Sequence, residues 1–212
     1  MGPAALILAA ATASPVCAPA APLPLLGSPD ATLEELYESG RTFDDFLGEA
    51  TSRKALWDKH YEEGEVPGDL LARANALPGS WRLLAVGEDW CSDSVNTIPF
   101  LALLAEAAPG IELRVIDSEK GAGIMESHLT PDGRSATPTV LVLDAEYREA
   151  GCWVERPSVL QAWATRNKEE LGNEFGPRKM AWYRKDGGRS TLDEVVTVLE
   201  AAAERRPSCE TG

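Results

Sequence analysis

Cys91 and Ser94 are the residues whose types and spacing are best suited to chemistry. They stand in the stretch Trp90-Cys91-Ser92-Asp93-Ser94, between an apolar run typical of a buried strand and a pattern typical of a helix. A thiol at a helix N-terminus faces backbone N–H groups without partners and the positive end of the helix dipole, and both favour the nucleophilic thiolate. Ser94 follows one helical turn later, so we expect its hydroxyl to hydrogen-bond the sulfur.

Acidic neighbours oppose that effect. Glu88, Asp89 and Asp93 place negative charge close to Cys91, which disfavours a second negative charge on the sulfur. The residues therefore leave two interpretations open, a reactive thiolate and an inert, half-buried cysteine.

Four segments around this site have the patterns of strands. Residues 81–87 and 139–144 are short apolar runs, residues 111–117 alternate, and residues 148–154 form a hairpin partner. Helical patterns separate or follow them, so the order is strand, helix, strand, helix, strand, strand, helix. That order indicates an α/β domain with a mixed central sheet and helices on both faces.

Helical patterns also precede and follow this core. Thr32 with Glu35 forms a capping box at the start of the first helix, and amphipathic stretches continue from there to the first strand. We predict one domain over residues 30–212, with a core at about 79–157 and helical extensions over 30–78 and 158–212.

The N-terminal 29 residues differ in composition from the rest. Residues 1–29 are rich in Ala and Pro, which predicts a flexible leader. Residues 5–13 resemble the apolar region of a signal peptide, but no Lys or Arg precedes them. We predict a cytoplasmic location, with export as the alternative if residues 1–13 act as a signal peptide.

Charge and cysteine spacing argue against several classes of function. The net charge of −14 argues against nucleic-acid binding and against docking on anionic membranes. Cys17, Cys152 and Cys209 are scattered and show no paired metal-ligand spacing, so we expect no metal site. His60 lies in a helical pattern, where we expect a surface position. We expect the basic and aromatic residues of 176–189 to pair with the protein's own carboxylates.

The motif around Cys91, together with Thr137-Pro138-Thr139 at the entry to a strand, resembles the thioredoxin superfamily. The wider pattern resembles a bacterial thioredoxin-like family whose active-site motif is Trp-Cys-Gly-Asp-Cys or Trp-Cys-Gly-Asp-Ser. This resemblance implies a thioredoxin fold and a cis Pro138 opposite Cys91. It also implies that a substrate chain binds to the backbone of Thr137, beside Pro138 and Trp90.

The sequence departs from the dithiol pattern of that superfamily at two positions. Ser94 stands where the resolving cysteine is expected, and Ala85 stands where thioredoxins place a buried acid. Cys152 is not a suitable substitute, because we expect it on the edge strand, two strands away from the strand before Cys91. Two strand spacings of about 4.8 Å exceed the limit of about 7 Å between the Cα atoms of a disulfide. We expect Cys152 to have a packing role.

Two functions remain. The first is a monothiol thioredoxin-like protein in which Cys91 forms a mixed disulfide with a protein or small-molecule thiol. An external thiol, such as glutathione or another low-molecular-weight thiol, then resolves it, and no bound cofactor is needed. The alternative is a non-catalytic module that binds a peptide or partner at the surface of Trp90 and Pro138. Nothing in the pattern predicts an oligomeric state.

Overall fold

The computed structural model describes residues 1–2 and 31–210. Almost all of the predicted leader, including Cys17 and the segment that resembles a signal peptide, lies outside the described residues. The predictions about that segment therefore stay predictions.

A five-stranded mixed sheet forms the centre of the described chain. Its strands are β1 (Trp81–Val86), β2 (Ile111–Ile116), β3 (Thr139–Leu143), β4 (Glu149–Val154) and β5 (Ser208–Glu210). The spatial order is β2-β1-β3-β4-β5. β1 is parallel to β2 and antiparallel to β3, and β4 is antiparallel to β3 and parallel to β5. The four predicted strands are confirmed, and β5 is an addition that the sequence patterns did not indicate.

Helices precede, connect and follow the strands. They are α1 (Leu33–Glu38), α2 (Phe43–Glu49), α3 (Lys54–Glu63), α4 (Gly68–Asn75), α5 (Ile98–Ala107), α6 (Ala122–Ser127), α7 (Ser158–Leu171), α8 (Phe175–Asp186) and α9 (Arg189–Ala203). The predicted capping box is present at α1, where the Thr32 hydroxyl accepts from the Glu35 amide and the Glu35 carboxylate accepts from the Thr32 amide.

The two faces of the sheet are buried by different helices. Leu83 and Ala85 of β1 belong to a large apolar cluster to which α2, α3, α4, α5 and α9 contribute. Leu84 and Val86 point the other way, into a smaller cluster with residues of α1 and α6. Alternation along one strand thus sends successive side chains to opposite faces. The predicted α/β class, a mixed sheet with helices on both faces, is confirmed.

The helix after Cys91 does not begin where the sequence pattern placed it. A 3-10 turn spans Ser94–Asn96, and α5 begins only at Ile98. Thr97 separates the 3-10 turn from α5, because its φ of −125° is not helical. Pro99 is accommodated because the first turn of a helix needs no amide donor at that position. The thiol therefore faces a short turn, and the dipole of α5 begins further along the chain.

Cys152 packs in the smaller apolar cluster, as expected, and it also forms a disulfide with Cys209 that the sequence patterns did not predict. The two residues lie directly opposite each other in β4 and β5, with their Cα atoms 4.3 Å apart. Cys152 also does not lie on an edge strand, because β5 pairs with β4 on its outer side. The expected two-strand separation between β1 and β4 is confirmed.

Candidate active site around Cys91

Cys91 lies in the loop that follows β1, where its sulfur contacts the backbone at two points. The thiol donates to the carbonyl oxygen of Thr137 at 3.2 Å, and the sulfur accepts from the amide of Ser94 at 3.4 Å. The Thr137–Pro138 peptide bond is cis, as predicted. Cys91 itself is only 8% exposed. The site therefore brings Cys91, Ser94, Thr137 and Pro138 together, and it holds the sulfur between one donor and one acceptor.

Ser94 contacts the sulfur through its backbone, and the expected contact through the hydroxyl is not formed. Its side chain is fully buried, and its Oγ accepts from the amide of Glu88 at 3.4 Å. The 3-10 turn that begins at Ser94 turns the amide, not the hydroxyl, towards Cys91. Ser94 thus stabilises the loop on both sides of the cysteine.

Trp90 is the most exposed aromatic side chain of the site, with 60% of its surface accessible. Its carbonyl oxygen accepts from Nε of Arg53 at 2.7 Å. The next carbonyl upstream, that of Asp89, accepts from Nε1 of Trp57 at 2.9 Å. The N-terminal helical extension therefore holds the backbone before Cys91, while the indole of Trp90 remains available to a partner.

The carboxylates of Asp89 and Glu88 also accept hydrogen bonds from backbone amides. One oxygen of Asp89 accepts from the amides of Thr51 and Ser52, each at 2.8 Å. Burial alone would raise the pKa of Asp89, but these hydrogen bonds to its charged form lower the pKa below its ordinary value. Glu88 accepts from the amide of Ser118 at 2.8 Å. Both carboxylates therefore stabilise the backbone around the site.

His60 is half-buried against the turn that follows the cysteine, so the expected surface position is wrong. Its Nδ1 lies 2.8 Å from the carbonyl oxygen of Val95. Burial lowers the pKa of His60 below its ordinary value, because the charged imidazolium loses hydration there. His60 is therefore a neutral support of the loop.

Asp93 is the residue of the motif with the most charged surroundings. Its side chain is buried and contacts Nζ of Lys179 at 2.7 Å, the hydroxyl of Tyr183 at 2.7 Å and the guanidinium of Arg156 at 3.3 Å. Lys179 also donates to the hydroxyl of Ser92 at 2.9 Å. Burial and the neighbouring Asp93 raise the pKa of Tyr183 well above its ordinary value, so the phenol stays protonated and donates.

This contact network extends outward through a second carboxylate. Glu155 pairs with Arg156 and, at 3.1 Å, with Arg134, which in turn binds Asp132 at 2.6 Å. Three carboxylates, those of Asp93, Glu155 and Asp132, thus face three cations, those of Lys179, Arg156 and Arg134. The negative charge of Asp93, which was expected to disfavour the Cys91 thiolate, is therefore compensated by Lys179 and Arg156.

The sequence patterns did not assign these partners to the site. Lys179 and Tyr183 lie in α8, which was expected only to pair with the protein's own carboxylates, and Lys179 does so. Arg53, Arg134 and Arg156 carried no signal, because the contacts that bring them to the site join residues 37, 21 and 63 positions apart. Ala85, in the position of the expected buried acid, is fully buried among apolar side chains.

An open cleft of about 370 Å³ leads to the cysteine. Its lining includes Trp90, Cys91 and Thr137, and its charged lining residues are Arg53, Asp93, Arg134 and Glu155. Within residues 31–210 the structure shows no group of three or more His, Cys, Asp or Glu side chains that could hold a metal ion. None of the helices in that range is long and apolar enough to cross a membrane.

Comparisons with known proteins give one family and several related structures. A family model described as thioredoxin matches residues 40–170. A crystal structure of a protein of unknown function from Pseudomonas aeruginosa is 26% identical, with a TM-score of 0.65, over 82% of this chain and 99% of that one. An HIV epitope-scaffold is also 26% identical, with a TM-score of 0.62, over 81% of this chain and 99% of that one. No curated protein matches the chain.

Proposed function

The chain belongs to the thioredoxin family, and from this premise we propose that it carries out monothiol thiol–disulfide exchange through Cys91. The observation that carries the proposal is the position of the sulfur, which accepts from the Ser94 amide at 3.4 Å and adjoins Thr137 at 3.2 Å in an open cleft. A donor to the sulfur favours the thiolate, and the thiolate is the attacking form.

The exchange has two balanced steps. The Cys91 thiolate attacks one sulfur of a disulfide RS–SR, its S–S bond breaks, and the leaving thiolate takes up a proton as RSH. Cys91 is then held in a mixed disulfide with the remaining RS group. The thiolate of an external thiol R′SH attacks the sulfur of that RS group, releases the Cys91 thiolate and leaves as R′S–SR. Cys91 ends each cycle in its starting state, and the electrons come from the external thiol.

An external thiol is needed because the described chain offers no second one. Ser94 occupies the resolving position, and Cys152 and Cys209 are bonded to each other. Glutathione or another low-molecular-weight thiol fits this role. Proteins and small molecules that carry thiols or disulfides are the proposed partners, and neither nucleic acid nor a membrane has a part in the scheme.

A non-catalytic binding module is the second candidate, and the exposure of two neighbouring residues favours it. Cys91 is 8% exposed, whereas Trp90 is 60% exposed. In that case Trp90, Thr137 and Pro138 hold a peptide or partner, and the thiol takes no part.

The disulfide bears on the compartment in which the protein is proposed to act. Such bonds persist mainly in oxidising compartments and are rare in the cytoplasm. The Cys152–Cys209 bond therefore favours export over the cytoplasmic location that we expected from the sequence.

Adduct formation separates the two candidate functions. The protein is incubated with glutathione disulfide or with an unrelated disulfide-bonded protein, and the mass of the product is measured. Exchange predicts an adduct at Cys91, which accumulates in the wild type because Ser94 cannot release it, and which is absent from Cys91→Ala. If neither disulfide gives an adduct that depends on Cys91, the binding module is the correct function.

A further inference from the structure

Arg53 differs from the other charged residues of the cleft because it has no ionic partner within residues 31–210. Asp93, Glu155 and Arg134 all take part in the ion-pair network. Arg53 is exposed, and the one hydrogen bond of its side chain in the described part of the chain runs from Nε to the carbonyl oxygen of Trp90. Its two terminal NH2 groups and its positive charge are therefore available at the cleft.

The backbone conformation of Arg53 and the contacts of the residues before it fix the position of this residue at the cleft. Arg53 has φ 53° and ψ 20°, in the left-handed region, which non-glycine residues seldom adopt. The amides of Thr51 and Ser52, just before it, are bound by Asp89, two residues before Cys91. Unfavourable backbone conformations of this kind persist where the surrounding contacts impose them, and they are concentrated at ligand sites.

We propose that Arg53 is a specificity residue that binds a carboxylate of an anionic, low-molecular-weight disulfide and so places its S–S bond at Cys91. The inference rests on the proposed exchange function and names its substrate class. A guanidinium presents paired N–H donors that match the two oxygens of a carboxylate. Because the chain carries a net charge of −14, its general field repels anions, and a local cation is required to select one.

Two variants separate the charge of Arg53 from its bond to Trp90. Arg53→Gln keeps an N–H donor at the position of Nε and removes the guanidinium charge. Arg53→Lys keeps a positive charge and loses the Nε donor. Arg166→Gln is the control for net charge, because Arg166 is exposed and does not line the cleft.

The measurement is the rate of mixed-disulfide formation at Cys91, at fixed ionic strength, with three disulfides of different charge. These are glutathione disulfide, which is anionic, hydroxyethyl disulfide, which is neutral, and cystamine, which is cationic. A glutathione-linked acidic peptide serves as a fourth probe, to distinguish a small anionic substrate from an acidic protein segment.

We expect Arg53→Gln to slow the reaction with glutathione disulfide about fivefold relative to the neutral probe, the size of one partly exposed ion pair. Arg166→Gln should keep the wild-type ratio, and Arg53→Lys should show a smaller loss than Arg53→Gln, because it keeps the charge and loses only the paired donors. An equal loss with all three disulfides would assign Arg53 to the support of Trp90 alone and overturn the proposal. A larger effect with the acidic peptide than with glutathione disulfide would overturn the assignment to a small substrate. If no disulfide reacts at Cys91 in the wild type, the proposed exchange function fails as well.

Discussion

The sheet of this protein supports two cysteine sites that differ in nearly every physical respect. Cys91 is unpaired, lies in a loop and has its sulfur between an amide and a carbonyl beside a cleft. Cys152 is fully buried in β4 and is bonded to Cys209 of the outermost strand. Charged and polar groups from both helical extensions surround the first site. The second site lies within the regular pairing of β4 with β5. Under the proposed function, Cys91 is the cysteine that takes part in exchange, whereas the Cys152–Cys209 disulfide links two strands of the sheet.

Removal of the disulfide is expected to have the largest effect on stability and no effect on exchange. The bond joins residues 57 positions apart, and its loss in Cys209→Ser should lower the free energy of unfolding by about 4 kcal/mol. Urea denaturation measures this change, and the rate of adduct formation at Cys91 should stay the same. Wild-type protein with a reductant is the control and should show the same loss. Equal denaturation midpoints in the oxidised wild type and the variant would show that the bond contributes nothing.

The buried charges around Asp93 should give the next largest effect. Asp93→Asn leaves Lys179 buried without its carboxylate and leaves Arg156 with Glu155 alone, and we expect a loss of about 3 kcal/mol in the free energy of unfolding. Lys179→Met should cost less, about 2 kcal/mol, because Asp93 keeps two of its partners.

A double-mutant cycle in urea tests this network. The double variant of Asp93→Asn and Lys179→Met should lose less stability than the sum of the two single losses, because each change removes the partner of the other. Lys185→Met is the control, since Lys185 is exposed on the same helix and has no ion pair in the described part of the chain. Simple additivity of the two losses would show that the pair does not act as a unit.

Ser94→Cys tests the contrast between the unpaired Cys91 and the disulfide-bonded cysteines, because it gives Cys91 a possible partner. A second thiol one turn after Cys91 should attack the mixed disulfide from within the molecule and shorten its lifetime at least about a hundredfold, as expected for a step that no longer requires an encounter. Stopped reactions analysed by mass spectrometry measure that lifetime. Ser92→Cys is a suitable control for the added thiol. An adduct of unchanged lifetime in Ser94→Cys would mean that a thiol at position 94 does not reach the Cys91 sulfur.

The effect of pH on stability through His60 is the smallest of these predictions. The pKa of His60 is lowered by burial, so the unfolded chain takes up a proton at a higher pH than the folded one. Stability from this source is complete above the ordinary histidine pKa of about 6.5 and decreases as the pH falls below it. The slope of unfolding free energy between pH 7 and 5 should be smaller in His60→Asn, which keeps a donor for Val95. His128→Asn should keep the His60 contribution, and an identical slope in His60→Asn and the wild type would contradict the prediction.

The sequence predicted those parts of the molecule that depend on local pattern. Alternating and apolar runs located β1 to β4, and the capping box at Thr32 is present. The motif around Cys91 was found as a short, contiguous pattern, and the cis peptide bond before Pro138 was expected from the resemblance to the thioredoxin superfamily.

The parts that were missed depend on contacts between distant residues. β5 has only three residues, too few for a periodic signal, and it is defined by its pairing with β4. Lys179 is 86 positions from Asp93, and nothing local marks either as a member of a buried pair. The delayed start of α5 at Ile98 follows from the turn at Ser94, whose amide is directed at the sulfur.

Peptide mapping in a glutathione redox buffer tests the central contrast most directly. The protein is equilibrated with glutathione and its disulfide, free thiols are blocked by alkylation, and each cysteine peptide is identified by mass. We predict that glutathione is found on the Cys91 peptide, while the peptides of Cys152 and Cys209 remain linked to each other. Glutathione on Cys152 or Cys209, with Cys91 unmodified, would contradict the assignment of exchange to Cys91.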